Sequence, residues 1–462
     1  VGGTGHTVAA ALEKGSPVVW IDPANPSAWR LLDLPEALDD LRRAPPQDPE
    51  ARERALTLCV LAALRPAAGH AHGAEARAGP AGLARERWRP RSPIAWHAYR
   101  RVEALFGADT VFGRVRPLSQ IYERPSEVEG GSEAAVLSAA EALEGQDPAF
   151  VVRVKDEVIR RFVWADGVAA RLSDTYRGGM TLNFIFSALA IAGGLAYLPF
   201  AEPHDKWLFS AAEVLLLIAI LAVTFIGQRR RWHSRWFETR RLAEYLRHAP
   251  ILLFLGTARA PGQWPRGAET SWPEWYARQV QVDLGLPEVV VTQRYLREGA
   301  DHLLRRHVAQ QADYHRGKAR RLARTHASLD RLSETLFVLA VVCVGGYLAL
   351  RALGAVGVIP EALPSRASPY FTFLGAALPT LAAAVSGIRF FGDFERFSAI
   401  SEVAAEKLDG LGLRLNRLLE VPGGPVAYER VRDLAHAADA AVVAEIEAWQ
   451  AVFGGKHVTV PA

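Results

Sequence analysis

Cysteine and methionine are almost missing from this chain: two cysteines, Cys59 and Cys343, and one methionine in 462 residues. Cys59 falls in a segment that reads as a helix and Cys343 in an apolar stretch, so a disulfide framework is excluded. Catalytic signatures are missing too. The chain has no Walker lysine loop, no HExxH run, no nucleophile elbow and no carboxylates at catalytic spacing. His70 and His72 have a metal-like spacing but lie in an Ala/Gly/His-rich loop without a third ligand close by, and His302, His307 and His315 follow no ligand spacing. No zinc site is expected.

Charge is also nearly absent from four long stretches, residues 182–200, 207–226, 336–350 (extendable to 358) and 370–391, in which Glu213 is the one carboxylate. About 20 apolar residues rise roughly 30 Å as a helix, the thickness of a bilayer core. The stretches therefore predict four membrane spans arranged as two hairpins. Arginines crowd the segment between the second and third spans: Arg229, Arg230, Arg231, Arg235, Arg240 and Arg241 follow one, and Arg316, Arg320, Arg321, Arg324 and Arg331 precede the next. By the positive-inside rule this segment and both termini face the cytoplasm. Arg229, Arg230 and Arg231 with Trp232 and Trp236 are expected to anchor the second span at the inner leaflet.

The net charge of +4 and pI of about 9.1 would hint at nucleic acid in a soluble protein. Here the excess sits beside the spans, so anionic lipid is the expected partner and nucleic acid is not. Abundant alanine and arginine point to a GC-rich bacterial gene, and hence to the bacterial inner membrane. No signal peptide is evident, and the Val1 start in mid-motif suggests missing upstream residues.

The expected fold is mainly α: the four spans with long cytoplasmic helices, preceded by a truncated α/β Rossmann-like fragment. Residues 1–34 read as glycine loop, helix and strand, with Gly2, Gly3, Thr4, Gly5 and Thr7 before a helical run and residues 17–22 as a strand ending at Pro23. Glycines at a helix start let the backbone approach an anion. A helical remainder, 35–123, contains helices near 35–43, 49–64 and within 94–106. A linker, 124–149, leads to the first hairpin unit, 150–256, whose entering helix carries Phe162, Ala165, Ala169, Leu172 and Tyr176 on one face and runs into the first span. A Trp-rich connector, 257–290, holds Trp264, Trp272, Trp275 and Tyr276. The second hairpin unit, 291–420, and a C-terminal helix in 421–462 complete the chain.

The two hairpin units look duplicated. Leu242-Ala243-Glu244-Tyr245-Leu246 and Ala404-Ala405-Glu406-Lys407-Leu408 fall at matching distances after their spans, which predicts a parallel repeat about an axis along the membrane normal. Small residues at Ala188, Ala192 and Ala196, and at Ala376, Thr380 and Ala384, form helical stripes suited to close packing within or between subunits, so a homo-oligomer is expected. Glu213 in the second span suits an ion or proton path, or a snorkelling carboxylate.

The run Gly2-Gly3-Thr4-Gly5, followed by a helix and a strand ending in Asp22, resembles the phosphate loop of the SLOG superfamily, relatives of the LOG phosphoribohydrolases and TIR-like sensors. Val1 stands where LOG enzymes place a proline and Ala9 where they place the catalytic glutamate. The resemblance thus implies binding of a nucleotide-derived ligand rather than glycosidic hydrolysis. Residues 151–419 resemble SLATT-type membrane effectors of bacterial conflict and anti-phage systems. The resemblance rests on Ala165-Asp166 through Tyr176-Arg177, Trp232 through Arg247, Trp272 to Tyr276, Tyr314-His315 and Gly387-Ile388-Arg389, although SLATT domains commonly carry one hairpin. It implies a sensor coupled to a pore-forming or membrane-perturbing effector. A membrane-tethered nucleotide-processing enzyme with upstream catalytic residues, and a transporter or passive scaffold, stand as alternatives.

Overall fold

The computed structural model describes residues 4–13, 16–34, 36–39, 41, 47–64, 82–110, 120–259 and 272–453. Among them the regular structure is helical apart from one two-stranded sheet and an isolated antiparallel bridge between Arg91 and Ile121. The N-terminal segment comprises α1 (Thr4–Glu13), β1 (Val18–Asp22), β2 (Asn25–Leu32) and α2 (Pro49–Leu64), with a single helical turn at Glu36–Asp39. The helix and strand foreseen here are present, but the strand's neighbour is not parallel. The chain reverses at Pro23-Ala24, where Asp22 Oδ1 accepts the Ala24 N–H at 2.9 Å, and β1 pairs antiparallel with β2, Val18 opposite Leu32. An aspartate that caps its own turn makes a hairpin out of what reads as a strand end.

Beyond it follow α3 (Ala98–Gly107), α4 (Ala134–Glu141), α5 (Pro148–Leu195), α6 (Lys206–Arg229), α7 (Trp232–Phe254), α8 (Trp272–Leu284), α9 (Gln293–Ala355), α10 (Ala362–Gly392), α11 (Phe394–Leu419) and α12 (Tyr428–Phe453). Four of these, α5, α6, α9 and α10, are long and apolar enough to cross a membrane, consistent with a membrane protein. The fourth starts earlier than its hydropathy suggests, because α10 carries Pro364 near its N-terminus and continues through Pro369 and Pro379. Thr372 and Thr380 donate to the carbonyls of Ser368 and Ala376, one turn back, at 2.9 and 2.7 Å.

Each hairpin is entered and left by a polar helical segment, and these segments pack into one bundle. The entering face expected on α5 is buried: Phe162, Ala165, Ala169, Leu172 and Tyr176 are at most 3% exposed. One core joins the start of α5 to the ends of α7 and α11 and to α12. A second, nearer the spans, joins Tyr176 to Trp232, Trp236, Phe391, Phe394 and Phe397. The stretch 124–149, read as a linker, contributes Val128, Val136, Leu137 and Leu143 to the first core.

The duplication extends to atomic detail. α5 packs on α6 and α7; α9 packs on α10 and α11. Both entering helices contain a π-helical segment, Val154–Ile159 and Gly299–Arg305. Both spans that lead back into the bundle end on a left-handed non-glycine residue, Arg231 (φ 49°) and Asp393 (φ 45°), a conformation that costs about 1 kcal/mol and redirects the chain. The two matching pentads lie at the same distance beyond these turns. Each hairpin is clasped by a polar pair at the bundle end of its apolar stretches, Asn183 Nδ2 donating to Thr224 Oγ1 at 3.0 Å and Ser333 Oγ meeting Ser386 Oγ at 2.6 Å. In the same register an ion pair recurs with its charges exchanged: Asp166 with Arg247 at 3.3 Å in the first unit, Arg316 with Asp409 at 2.7 Å in the second.

Candidate functional site

A cavity of about 180 Å³ opens where α3, α5, α7, α9 and α11 converge below the spans, lined by side chains from all five. It exists because α3 lies across α5. Gly178 has the carbonyl of Trp96 against it, so closely that a Cβ would collide with the backbone, and Tyr99 stacks on Phe394 at 5.4 Å.

Cationic side chains dominate the lining. Arg100, Arg177, Arg240, Lys318 and Arg321 face Glu103 and Asp174. Asp174 is 4% exposed and is the hub: it accepts from Arg100 Nε and from the Tyr122 hydroxyl at 2.6 Å, with His97 Nδ1 3.6 Å away. Burial works against the charge of Arg100, but Asp174 beside it leaves its pKa above the ordinary guanidinium value. Burial pushes the Tyr122 and Tyr99 hydroxyls upward, so both stay protonated donors. Arg321 Nε donates to Glu103 at 2.7 Å.

The other carboxylates that balance these cations stand behind the surface. Arg240 reaches Asp166 at 2.7 Å and Glu244; Lys318 reaches Glu445 at 2.9 Å. Burial would raise the Glu445 carboxyl, but Lys318 and His315 hold it below its usual range. Arg177 lies among aromatic faces, 4.7 Å from the Trp236 ring and 4.9 Å from that of Tyr99. A box of guanidinium, ammonium and aromatic groups suits an anion with a planar part: charge-assisted hydrogen bonds hold the anion while the rings offer a stacking surface.

Most of the residues singled out from sequence fall outside the cavity, while Trp236 lines it. Gly2 and Gly3 lie outside the described residues, as do His70, His72 and Trp264. Thr4, Gly5 and Thr7 belong to α1 itself, which begins within the expected loop, and Gly5 and Thr7 are exposed. Trp232 and Trp236 are not inner-leaflet anchors: they are 5% and 3% exposed. The left-handed turn at Arg231 folds α7 back under the spans, putting Trp232 against Trp96 at 5.2 Å and Trp236 on the cavity wall. Arg229, Arg230 and Arg231 remain exposed at the polar end of α6. Glu213 is half-buried, its carboxylate pressed against Gly194 of α5 so that a Cβ there would collide with it. The carboxylate thus turns toward the neighbouring span.

Sequence reasoning missed Asp174, Lys318, Arg321, Tyr99 and Arg100. The available signal was Asp174 and Arg177 at helical spacing on the flank of an otherwise apolar face. Comparison with known protein families, curated proteins and solved structures finds no match to this chain.

Proposed function

We propose that the chain is a membrane-embedded effector controlled by an anionic, phosphate-bearing ligand that binds in the cationic cavity at the foot of the spans. One observation carries this reading. The cavity is lined by α5 and α9, which run without a break into the first and third spans, and by α7 and α11, which leave the second and fourth. A ligand bridging these helices bears on every span at once, and a ligand that binds two arrangements of the bundle unequally shifts the balance between them.

The ligand class agrees with what the SLOG-like glycine run implies, and the output with that of SLATT-type effectors: a pore or a perturbed bilayer, in bacterial defence. In this reading the polar bundle and both termini are cytoplasmic and the membrane is the bacterial inner membrane. Labelling from outside checks the orientation. A cysteine replacing Ser365, exposed near the start of α10, is expected to react, and one at Gln263 is not.

The functional test uses the full chain in dye-loaded liposomes with a panel of nucleotides and their phosphorylated derivatives, with thermal shift followed in the same samples. A ligand that stabilises the protein and releases dye supports the proposal. Lys318→Ala and Arg177→Ala are expected to abolish both responses, while Gly5→Asp, which adds a carboxylate at the first turn of α1, is not. Loss by Gly5→Asp alone would move the ligand to α1. Absence of any response across the panel would reject ligand control by this class.

A further inference from the structure

The spans are joined in an open row. α6 packs on α5, α5 on α10 and α10 on α9, whereas α6 and α9, at the two ends, make no extended contact among the described residues. The contact between the two hairpins therefore uses unlike surfaces: the first helix of one unit, α5, meets the second helix of the other, α10. A closed pair of repeats would also bring α9 onto α6. Instead these two are the most exposed spans, each with 11% of its apolar window buried, against 39% for α5 and 17% for the fourth.

At the internal contact Phe184 of α5 covers Gly387 of α10, where a Cβ would collide with its ring, and meets Phe391 at 6.5 Å. The register fixed by Asp166 and Arg316, Asn183 and Ser333, Thr224 and Ser386, and Arg247 and Asp409 assigns each of these residues a counterpart on the open faces. Phe184 corresponds to Glu334 on α9. Phe391 corresponds to Arg229, and Gly387 to Phe225, both on α6. Glu334 and Arg229 are exposed and opposite in charge, and Phe225 is 62% exposed. Where the internal contact pairs two aromatic rings, the open faces offer an arginine and a glutamate.

We infer that the open face of α9 is a docking surface for α6 of a second copy of this chain, in the register that joins α10 to α5 within one copy, with Arg229 of one copy meeting Glu334 of the next. The interface is head-to-tail, so every copy keeps one face of each kind until a ring closes, and two copies suffice for the smallest ring. Lipid competes for both faces, because it is as apolar as the helices; the specificity comes from packing and the charge pair. The Arg229–Glu334 pair lies at the polar end of the spans, where neither charge need enter hydrocarbon.

The test is disulfide trapping in native membranes, in a full-length chain carrying Cys59→Ala and Cys343→Ala. Phe225→Cys and Glu334→Cys are placed on separately tagged copies and co-expressed. The expected product is a mixed-tag dimer joining position 225 to position 334, with neither residue trapping its own equivalent. In the chain without added cysteines, Arg229→Glu or Glu334→Arg is expected to weaken self-association measured in lipid nanodiscs by about fivefold, equivalent to roughly 1 kcal/mol, and the two together to restore it. Trapping of 334 to 334 would show a like-with-like interface and overturn the inference. So would absence of trapping together with a monomer by native mass spectrometry of the unaltered chain, which would leave both faces to lipid.

Discussion

The two hairpin units share a backbone plan and differ in what they enclose. Where the first unit has Arg177, Trp236 and Arg240 around a cavity, the second has Ala327, Ser398 and Glu402 at the corresponding positions, and Ser398 closes the space by donating to the Ala319 carbonyl at 2.8 Å. Where the first has Tyr176 tilted on His233 at 4.9 Å, the second has His326 facing Glu395 at 3.7 Å. The ion pair exchanged between the units is half-buried in the first, with Arg247 16% exposed, and open in the second, with Arg316 and Asp409 at 43% and 50%. The conserved geometry thus belongs to the hairpin and its turn, and the chemistry to the residues that the repeat has let diverge.

The largest contrast should come from the equivalent pair Trp236 and Ser398. Trp236→Ala removes a ring that packs on Tyr176 at 5.7 Å and is expected to cost about 3–5 kcal/mol. Ser398→Ala loses one hydrogen bond and is expected to cost about 1 kcal/mol. Thermal unfolding of both variants in detergent measures the difference. Equal losses would mean that the second unit packs as tightly at this point as the first.

The exchanged ion pair provides the next contrast. Arg247→Met leaves Asp166 and Glu244 with Arg240 alone and is expected to destabilise by about 3 kcal/mol. Asp409→Asn breaks an exposed pair and is expected to cost less than about 1 kcal/mol. The same melting experiment ranks them.

Acidity probes the seam between the units, because buried titratable groups gather where α4 and α7 meet the start of α9, His248 of the first unit lying against His307 of the second. Burial, only partly offset by Arg247, pushes the Glu133 carboxyl up to about 7. An acid raised in the folded state contributes stability that is complete below its unfolded value of about 4.5 and is lost as pH rises through 7, an effect on the order of 3 kcal/mol. Burial lowers His307 to about 4, and His248, 3.0 Å from it, is likewise lowered, by burial and then by His307. Stability held by these two is present above about pH 6.5 and is lost as pH falls toward 4. Both effects act between about pH 4.5 and 7 with opposite sign, so Glu133→Gln should remove the loss of stability across that window and steepen the net rise of stability with pH. An unchanged profile between about pH 4.5 and 7 would remove Glu133 from the account.

The sequence made the hairpins legible and hid the cavity. Hydropathy located the four long helices, and the period of Phe162 to Tyr176 identified the buried face of α5, because both signals are local. The pentads around Glu244 and Glu406 pointed to the repeat for the same reason. Trp232 and Trp236 misled because tryptophan after an apolar stretch has two homes, the lipid interface and a core, and only the left-handed turn at Arg231 selects between them. The cavity escaped because Tyr99, Asp174, Trp236, Lys318 and Phe397 come together only once five separate helices have packed. The antiparallel hairpin at Pro23-Ala24 escaped because a short strand looks the same whichever way its neighbour runs.

The smallest contrast lies at the bundle ends of the spans, where the two units hold their helices by different clasps at equivalent places. Asn183 is fully buried and donates through its amide to Thr224, also buried. Ser333 is half-buried and bonds both Ser386 and the Ala382 carbonyl at 3.2 Å. Interhelical hydrogen bonds in lipid average near 0.6 kcal/mol, since the separated helices find other partners. Asn183→Ala is expected at or above that value, because it leaves the Thr224 hydroxyl buried beside a void, and Ser333→Ala below it, because Ser386 can return its hydroxyl to its own helix as serine does. A double-mutant cycle on each pair in bilayers resolves the two. Coupling larger at Ser333 than at Asn183 would mean that the second hairpin, for all its exposure, is the more tightly closed.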